Sequence, residues 1–434
     1  MKAFTMIGRM FATVLGLSLA AGACAPGEDR PEVAGASQDM SVLTGDGTDG
    51  YIYGRVTTED DEVFEGRLRF GANEEALWSN YFNGFKDDNP WLAHTPADAL
   101  PGERLTMPIL KVSVVWNSDV GRPFMARFGD ITRIEADGRD LQVTLKSGTV
   151  VHLDRYAADD YADGVRVWDT SRGVMDFDEG DVRSIEFLPT PPLGSVPAPL
   201  YGTVRTRQGE FTGLVQWDRN ATLAADALNG RVGDDDVSLR FDAIRSIERR
   251  NSKGAVVTMH DGQEIVLSDT RRDKRANTGM YVDDARYGRT LISWDAFERI
   301  DFAPGGASPA YAEFLPGRPL TGTVTTRSGR RLAGRIVYDL DESETTETLD
   351  APAQGVDYTI PFRLIAAIAP RGAATQTGAS VTLRSGEEVA LERSGDLGDQ
   401  NAGLLVFVDG RHTPEYIAWS DVHQITLDPP PATP

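Results

Sequence analysis

One six-residue pattern is written six times along this chain, and a segment reused that often has to be a structural unit. Its clearest copies are residues 381–386 (Val-Thr-Leu-Arg-Ser-Gly) and 324–329 (Val-Thr-Thr-Arg-Ser-Gly). Residues 143–148, 204–209 and 257–262 keep the same plan, and 56–61 is a degenerate copy that ends in Asp61 instead of glycine. A β-branched residue leads into alternating side chains and then into a residue free to take φ > 0. That is the first strand and the turn of a β-hairpin.

The copies group into three long repeats, each with an A half and a B half. The A halves open at Gly54, Gly202 and Gly322 and run through the hexamer to a second glycine (Gly66, Gly213, Gly334) and an aromatic (Phe70, Trp217, Tyr338). A short helix is expected next, over 73–82, 220–228 and 341–349, because Asn or Asp stands where it can cap the first turn. Asn83-Gly84 and Asn229-Gly230 are expected to end two of these helices in αL geometry. Each A half closes on Phe-x-x-Ile-x-x-Ile, as in Phe241, Ile244 and Ile247. The B halves close in kindred fashion, as in Trp419, Val422 and Ile425, a spacing that suits one 3₁₀ turn leading into a last strand.

Hairpin, middle strand, helical turn and last strand, in that order, resemble the small, strongly bent barrels of the SH3-like and Sm-like kind. The expected class is therefore all-β with short helices, in three tandem repeats that are each a pair of such units. The expected organisation is a signal peptide over 1–23, a flexible tether over 24–49, repeat 1 over 50–188 with an aromatic-rich insert at about 85–123, repeat 2 over 199–303, repeat 3 over 319–428 and a Pro-rich tail over 429–434. The Pro-rich breaks between repeats read as semi-rigid spacers, so the repeats are expected to melt independently.

The N-terminus reads as an export signal: Lys2 and Arg9 lead into an apolar run, over 10–20, that is too short to span a bilayer. Ala21-Gly22-Ala23 then precedes Cys24, the only cysteine in the chain. This junction resembles a bacterial lipoprotein lipobox, although that family usually has Leu where Ala21 stands. The resemblance implies a lipid on Cys24 and a protein held in the bacterial cell envelope, at the outer membrane or facing the periplasm. A net charge of −22 repels nucleic-acid phosphates, which argues against a nucleic-acid partner.

Little in the chain points to catalysis. There is no G-x-S-x-G, no Walker A and no H-E-x-x-H, and the five histidines are scattered without metal-ligand spacing. Carboxylate runs such as 234–236 read as solvated turns. Asp399, Asn401 and Gly403, like Asp273, Asn277 and Gly279, have some of the look of a Ca²⁺ loop but lack a matching bidentate Glu, and an Asx-turn explains them equally. No cofactor or metal is therefore expected. The reading is a non-catalytic envelope repeat lipoprotein, a binding or scaffold module whose partner is an envelope protein or polysaccharide. A carbohydrate-active or hydrolytic accessory protein using surface carboxylates is the alternative. Repeat 1 alone carries Trp78 and Tyr81 where repeats 2 and 3 have Ala224, Ala227, Thr345 and Thr348. With Phe85 and Trp91 of the insert, they form either an aromatic binding platform or a local core under the insert.

Overall fold

The computed structural model describes residues 50–434 except 72–73, 80, 97–102, 108–111, 117–122, 194–195, 271–277, 305, 307, 372–377, 399–400, 412 and 430–434. The expected signal, tether, lipidated Cys24 and most of the tail lie outside the described residues.

Each of the six halves contains the same five strands, a lead hairpin, a middle hairpin and a closing strand, and the insert of repeat 1 adds the hairpin Glu103–Met107 and Val112–Trp116. In repeat 2 the A half comprises Tyr201–Thr206, Gly209–Trp217, Ala227–Val232, Asp235–Arg240 and Ile244–Arg249. The B half comprises Ala255–Met259, Glu264–Leu267, Met280–Asp284, Gly288–Ile292 and Phe297–Phe302. All six hexamers end in a positive φ, and Asp61 at +63° takes the conformation that glycine takes in the other copies. Five of the six closing strands follow a 3₁₀ turn, as Ile244–Arg249 follows Phe241–Ala243.

The expected A-half helices do not form. Asp218 and Arg219 both have positive φ (47° and 58°), as do Asp339 and Leu340 (50° and 55°), which is the backbone of a tight type I′ hairpin turn. The amides of Asn220 and Ala221 donate to Trp217 O at 3.0 Å each, closing that turn. Asp226 Oδ2 then accepts the amides of Thr222 and Leu223 at 2.9 Å, and the chain enters a strand. Asn220, the residue expected to cap a helix, instead donates its Nδ2 to Asp218 O at 3.4 Å, because Asn and Asp bond to the backbone in turns as readily as at helix caps. Asn83-Gly84 and Asn229-Gly230 lie inside the strands Tyr81–Phe85 and Ala227–Val232. The one α-helix among the described residues is Asp159–Ala162, four residues long.

The two halves of a repeat are interleaved in one antiparallel sheet. In repeat 2 the closing strand of B pairs with the lead strand of A, and the closing strand of A lies between the closing and lead strands of B. Repeats 1 and 3 follow suit. Successive cross-strand partners then run Phe211, Val204, Ile300, Ile247, Val257 and Ile265. The Val that leads a hexamer and the Ile that ends a closing motif are thus direct neighbours in a buried ladder, which is why the chain repeats both. The three main sheets hold eight, ten and eight strands; among the described residues they are open and none closes into a barrel.

The repeats are also welded to one another. Gly288–Ile292 of repeat 2 pairs with Val356–Pro361 of repeat 3, so the ten-stranded sheet crosses the boundary and the apolar core is continuous through both. The Pro-rich segments pack closely instead of acting as spacers. Tyr311 and Phe314, which precede repeat 3, run back over repeat 1, where Lys146 Nζ donates to both of their carbonyls and Tyr311 Oη donates to Ile131 O at 2.8 Å. In the earlier segment Pro197 O accepts from Tyr51 Oη at 2.8 Å. Proline content suggested semi-rigid spacers here, but the flanking aromatics bring enough apolar surface to fasten both segments.

Candidate functional site

Repeat 1 docks on the outer faces of the sheets of repeats 2 and 3. There the residue after the second A-half glycine stands opposite a residue of the B-half middle strand: Leu214 opposite Asp283 in repeat 2, and Arg335 opposite Phe407 in repeat 3. Repeat 1 covers both positions. Over repeat 2, Arg289 donates to Ser79 O at 3.3 Å, and its guanidinium lies 4.9 Å from the Tyr81 ring and 3.6 Å from the Tyr281 ring. Over repeat 3, the 3₁₀ turn Pro90–His94 seats Trp91 against Phe407 at 6.0 Å, with Arg335 5.2 Å from the indole.

The four aromatics singled out in the sequence are therefore separated rather than gathered. Trp78 and Tyr81 are buried at 3% and 8% exposure, so they present no platform to solvent. Trp78 belongs to the buried apolar cluster of repeat 1, and other parts of the chain add to its cover and to that of Tyr81. Trp78 Nε1 donates to Ser308 Oγ at 3.1 Å in the segment preceding repeat 3, and Tyr81 is covered by Arg289 of repeat 2. Burial pushes the Tyr81 phenol up to about 12. Phe85 ends its strand 54% exposed, and Trp91 is half-buried against repeat 3.

Charge is concentrated at these same junctions. Burial works against the Arg127 guanidinium, but a paired contact with Asp130 at 2.7 and 2.9 Å outweighs it and holds the Arg pKa above its ordinary range. Burial raises the Asp283 carboxyl, while Arg127, Arg289 and Arg363 pull it down. Asp283-Asp284 is one of the carboxylate runs that read as solvated turns; instead it ends the strand Met280–Asp284, with Asp284 buried and Asp283 at the strand position that holds Trp168 in repeat 1 and Phe407 in repeat 3.

At the junction of repeats 1 and 3, Lys86 Nζ lies 2.6 Å from Asp341 Oδ1 and 3.4 Å from Glu347 Oε1. Burial disfavours the Lys86 cation, but Glu347 and Asp341 more than compensate and raise its pKa. Around it, burial and neighbouring acids lift Glu342 and Asp396 well above the carboxylate range. Glu342 Oε2 finds no hydrogen-bond partner among the described residues, which suits a protonated acid. These carboxylates are packed into a junction, not spread along an open cleft.

Among the described residues no group of three or more His, Asp or Glu is arranged to hold a metal ion. Of the loop residues considered for calcium, Asp273, Asn277 and Asp399 lie outside the described residues. Asn401 Oδ1 accepts the Gly403 amide at 2.9 Å, the bond of an Asx-turn. His152 Nδ1 faces the Asp140 carboxylate at 3.0 Å on an exposed strand. A shallow polar depression of about 390 Å³ is lined by residues of repeats 2 and 3, including Arg207, Asp295 and Gln354. No helix among the described residues is long and apolar enough to cross a membrane.

No family model matches the chain, and no curated protein matches it. Among solved structures, the extracellular domain of a putative one-component system from B. thetaiotaomicron aligns at 12% identity with a TM-score of 0.12. The alignment covers 90% of this chain and 57% of that one, so this chain spans little more than half its length. A likeness that weak carries no argument about fold or activity.

Proposed function

We propose that this chain is a non-catalytic envelope lipoprotein: a rigid binding or scaffold module held to the membrane through a lipid on Cys24. The observation that carries the reading is the double docking of repeat 1, through Tyr81 and Arg289 onto repeat 2 and through Trp91 and Phe407 onto repeat 3. Three repeats that could have been separate beads become one body. A rigid body with broad sheet faces suits the holding of partners more than the enclosure of a substrate. In the same proposal the six five-stranded units descend from one SH3-like or Sm-like barrel unit, opened and interleaved in pairs. The partner is an envelope protein, and nucleic acid is disfavoured by the charge of −22.

The test is fractionation combined with intact-mass analysis of the exported chain. Wild-type protein is expected in the membrane fraction with the mass of a lipid on its N-terminal cysteine, and Cys24→Ser protein in the soluble fraction. An unmodified wild-type N-terminus overturns the anchor. Failure of in-cell crosslinking to capture any envelope protein with the wild-type chain overturns the binding-module reading.

A further inference from the structure

Three strands hold the same place in the three repeats, as the outer strand of the B-half middle hairpin: Gly173–Phe177, Gly288–Ile292 and Glu415–Ile417. Their surroundings differ. Gly288–Ile292 pairs antiparallel with Val356–Pro361 of repeat 3, so this edge accepts a further strand. Glu415–Ile417 is shielded: Pro414 precedes it with no amide hydrogen, and Arg330 and Arg411 hold Glu415 in ion pairs. Gly173–Phe177 ends its sheet with neither device. It has no proline, lysine or bulge, Val174 is 55% exposed, and a Cβ on Gly173 would meet nothing within 4 Å.

The other end strands of the three main sheets are tied to further segments. Asp87 N donates to His152 O at 2.9 Å on Val150–Asp154, and Arg231 bridges to Asp269 just past Glu264–Leu267. Glu392 N donates to Pro352 O just past Glu388–Leu391, and Asp396 Oδ2 accepts the Asp350 amide of Thr348–Ala353. An open apolar edge among protected ones is a place for strand addition.

Register and charge decide what fits there. In repeat 2 the Ser293 amide donates to Gly355 O at 3.1 Å, one rung past Ile292 and Val356. Arg289 and Leu291 are therefore the residues that exchange backbone bonds with the added strand. Val174 and Asp176 hold those positions in repeat 1. Asp235–Arg240 is repeat 2's counterpart of Val356–Pro361, since each leads into the Phe of a 3₁₀ turn. On this edge it would set Asp236 against Asp176 and Asp234 against Asp178, and like charges directly opposite resist pairing. A second copy of Gly173–Phe177 avoids that. Turned antiparallel about Met175, it sets Val174 opposite Asp176 and brings Arg172 opposite Asp178, both of them exposed. Asp176 is balanced within its own copy by Arg166 at 2.5 and 2.9 Å, and Arg172 lies 3.6 Å from Glu62.

We propose that two copies of this chain join edge to edge through Gly173–Phe177, antiparallel and two-fold symmetric about Met175, so that the sheets of the two first repeats become one. Each copy covers the other's Val174, and the Arg172–Asp178 contact forms twice. Both copies use the same strand, so the interface closes as a dimer and does not propagate. Pairing through this edge needs neither the lipid nor an envelope partner.

The test is sedimentation equilibrium of the mature chain carrying Cys24→Ser, which removes the lipid site and the only cysteine. A reversible monomer–dimer equilibrium is expected. Arg172→Glu should raise the dissociation constant about tenfold or more, and adding Asp178→Arg should restore it, because the two charges then exchange places. In the same background Met175→Cys should give a disulfide-linked dimer on mild oxidation, since each Met175 stands opposite its own copy. Val150→Cys, on the strand at the opposite end of that sheet, should not. A chain that stays monomeric up to its solubility limit overturns the proposal. So does a dimer that Arg172→Glu leaves unchanged, or one that crosslinks as well through residue 150 as through 175. If Met175→Cys lowers the melting temperature, the Arg172→Glu loss and its rescue by Asp178→Arg decide, and a loss without rescue overturns the pairing.

Discussion

Lys86 of repeat 1 places its ammonium 2.6 Å from the Asp341 carboxylate of repeat 3, with all three side chains of the Lys86–Asp341–Glu347 group at most one-fifth exposed. Removing the cation leaves two carboxylates unpaired in a junction that water scarcely reaches. Lys86→Met is expected to cost about 3–5 kcal/mol, the usual penalty for breaking a buried pair from one side. Urea denaturation of the mature chain measures it, and a loss below about 1 kcal/mol would show that the junction is solvated.

The acids around that pair give the stability a definite pH dependence. Glu342 and Asp396 have folded-state pKa values above their unfolded ones, so the folded chain binds more protons. Their contribution is complete below about pH 4 and is lost as pH rises through the folded values. The melting temperature is therefore expected to rise as pH falls from 7.5 towards 5. At lower pH, carboxylates with depressed pKa become protonated and reverse the trend; Asp169, held down by amides of Glu65, Ser171 and Arg172 and by the Ser171 hydroxyl, is one. Asp396→Asn keeps an oxygen for the Asp350 amide, which lies 2.6 Å from the present carboxylate, and removes the charge. It should stabilise the chain by about 1–2 kcal/mol at pH 7.5 and by less at pH 5, as thermal melts across pH would show.

The second glycine of each A half is required by how closely two strands approach. A Cβ on Gly213 would collide with the Asp283 carbonyl, as one on Gly66 would with Trp168 O and one on Gly334 with Phe407 O. The obstacle is backbone, so no rotamer change relieves it. Gly213→Ala is expected to destabilise by at least about 1–3 kcal/mol, while Gly148→Ala, at a turn with open space but φ of +88°, should cost about 1 kcal/mol. Paired denaturation curves check the order of the two, and the reverse order would place the constraint in turn geometry.

The alternation and turn glycines made the hairpins legible, because a hexamer such as 381–386 states its own strand and turn without help from the rest of the chain. The closing motif was legible for a similar reason: Phe241, Ile244 and Ile247 define a 3₁₀ turn and a strand within seven residues. What lay beyond reach was long-range. Nothing local in Val204 says that it pairs with Ile300 of the other half, or in Trp91 that it lands on Phe407 of another repeat. The A-half helices failed because Asp218-Arg219 and Asp339-Leu340 turn the chain back at positive φ just ahead of Asn220 and Asp341, the residues expected to cap, and the Asp341 carboxylate faces Lys86 instead. Trp78 and Tyr81 were recognised as exceptional within repeat 1, but burial by another repeat and exposure for a ligand leave the same mark on a sequence.

The central claim is that three repeats unfold as one body, and Ile244→Ala in scanning calorimetry of the mature chain tests it most directly. Ile244 is fully buried in the core that runs through repeats 2 and 3, and its truncation should cost about 2–5 kcal/mol. Welded repeats predict one transition, with calorimetric and van't Hoff enthalpies in agreement, that moves as a whole to lower temperature in the variant. Separable transitions, with only repeat 2 shifted and repeats 1 and 3 melting where they do in the wild type, would contradict the account.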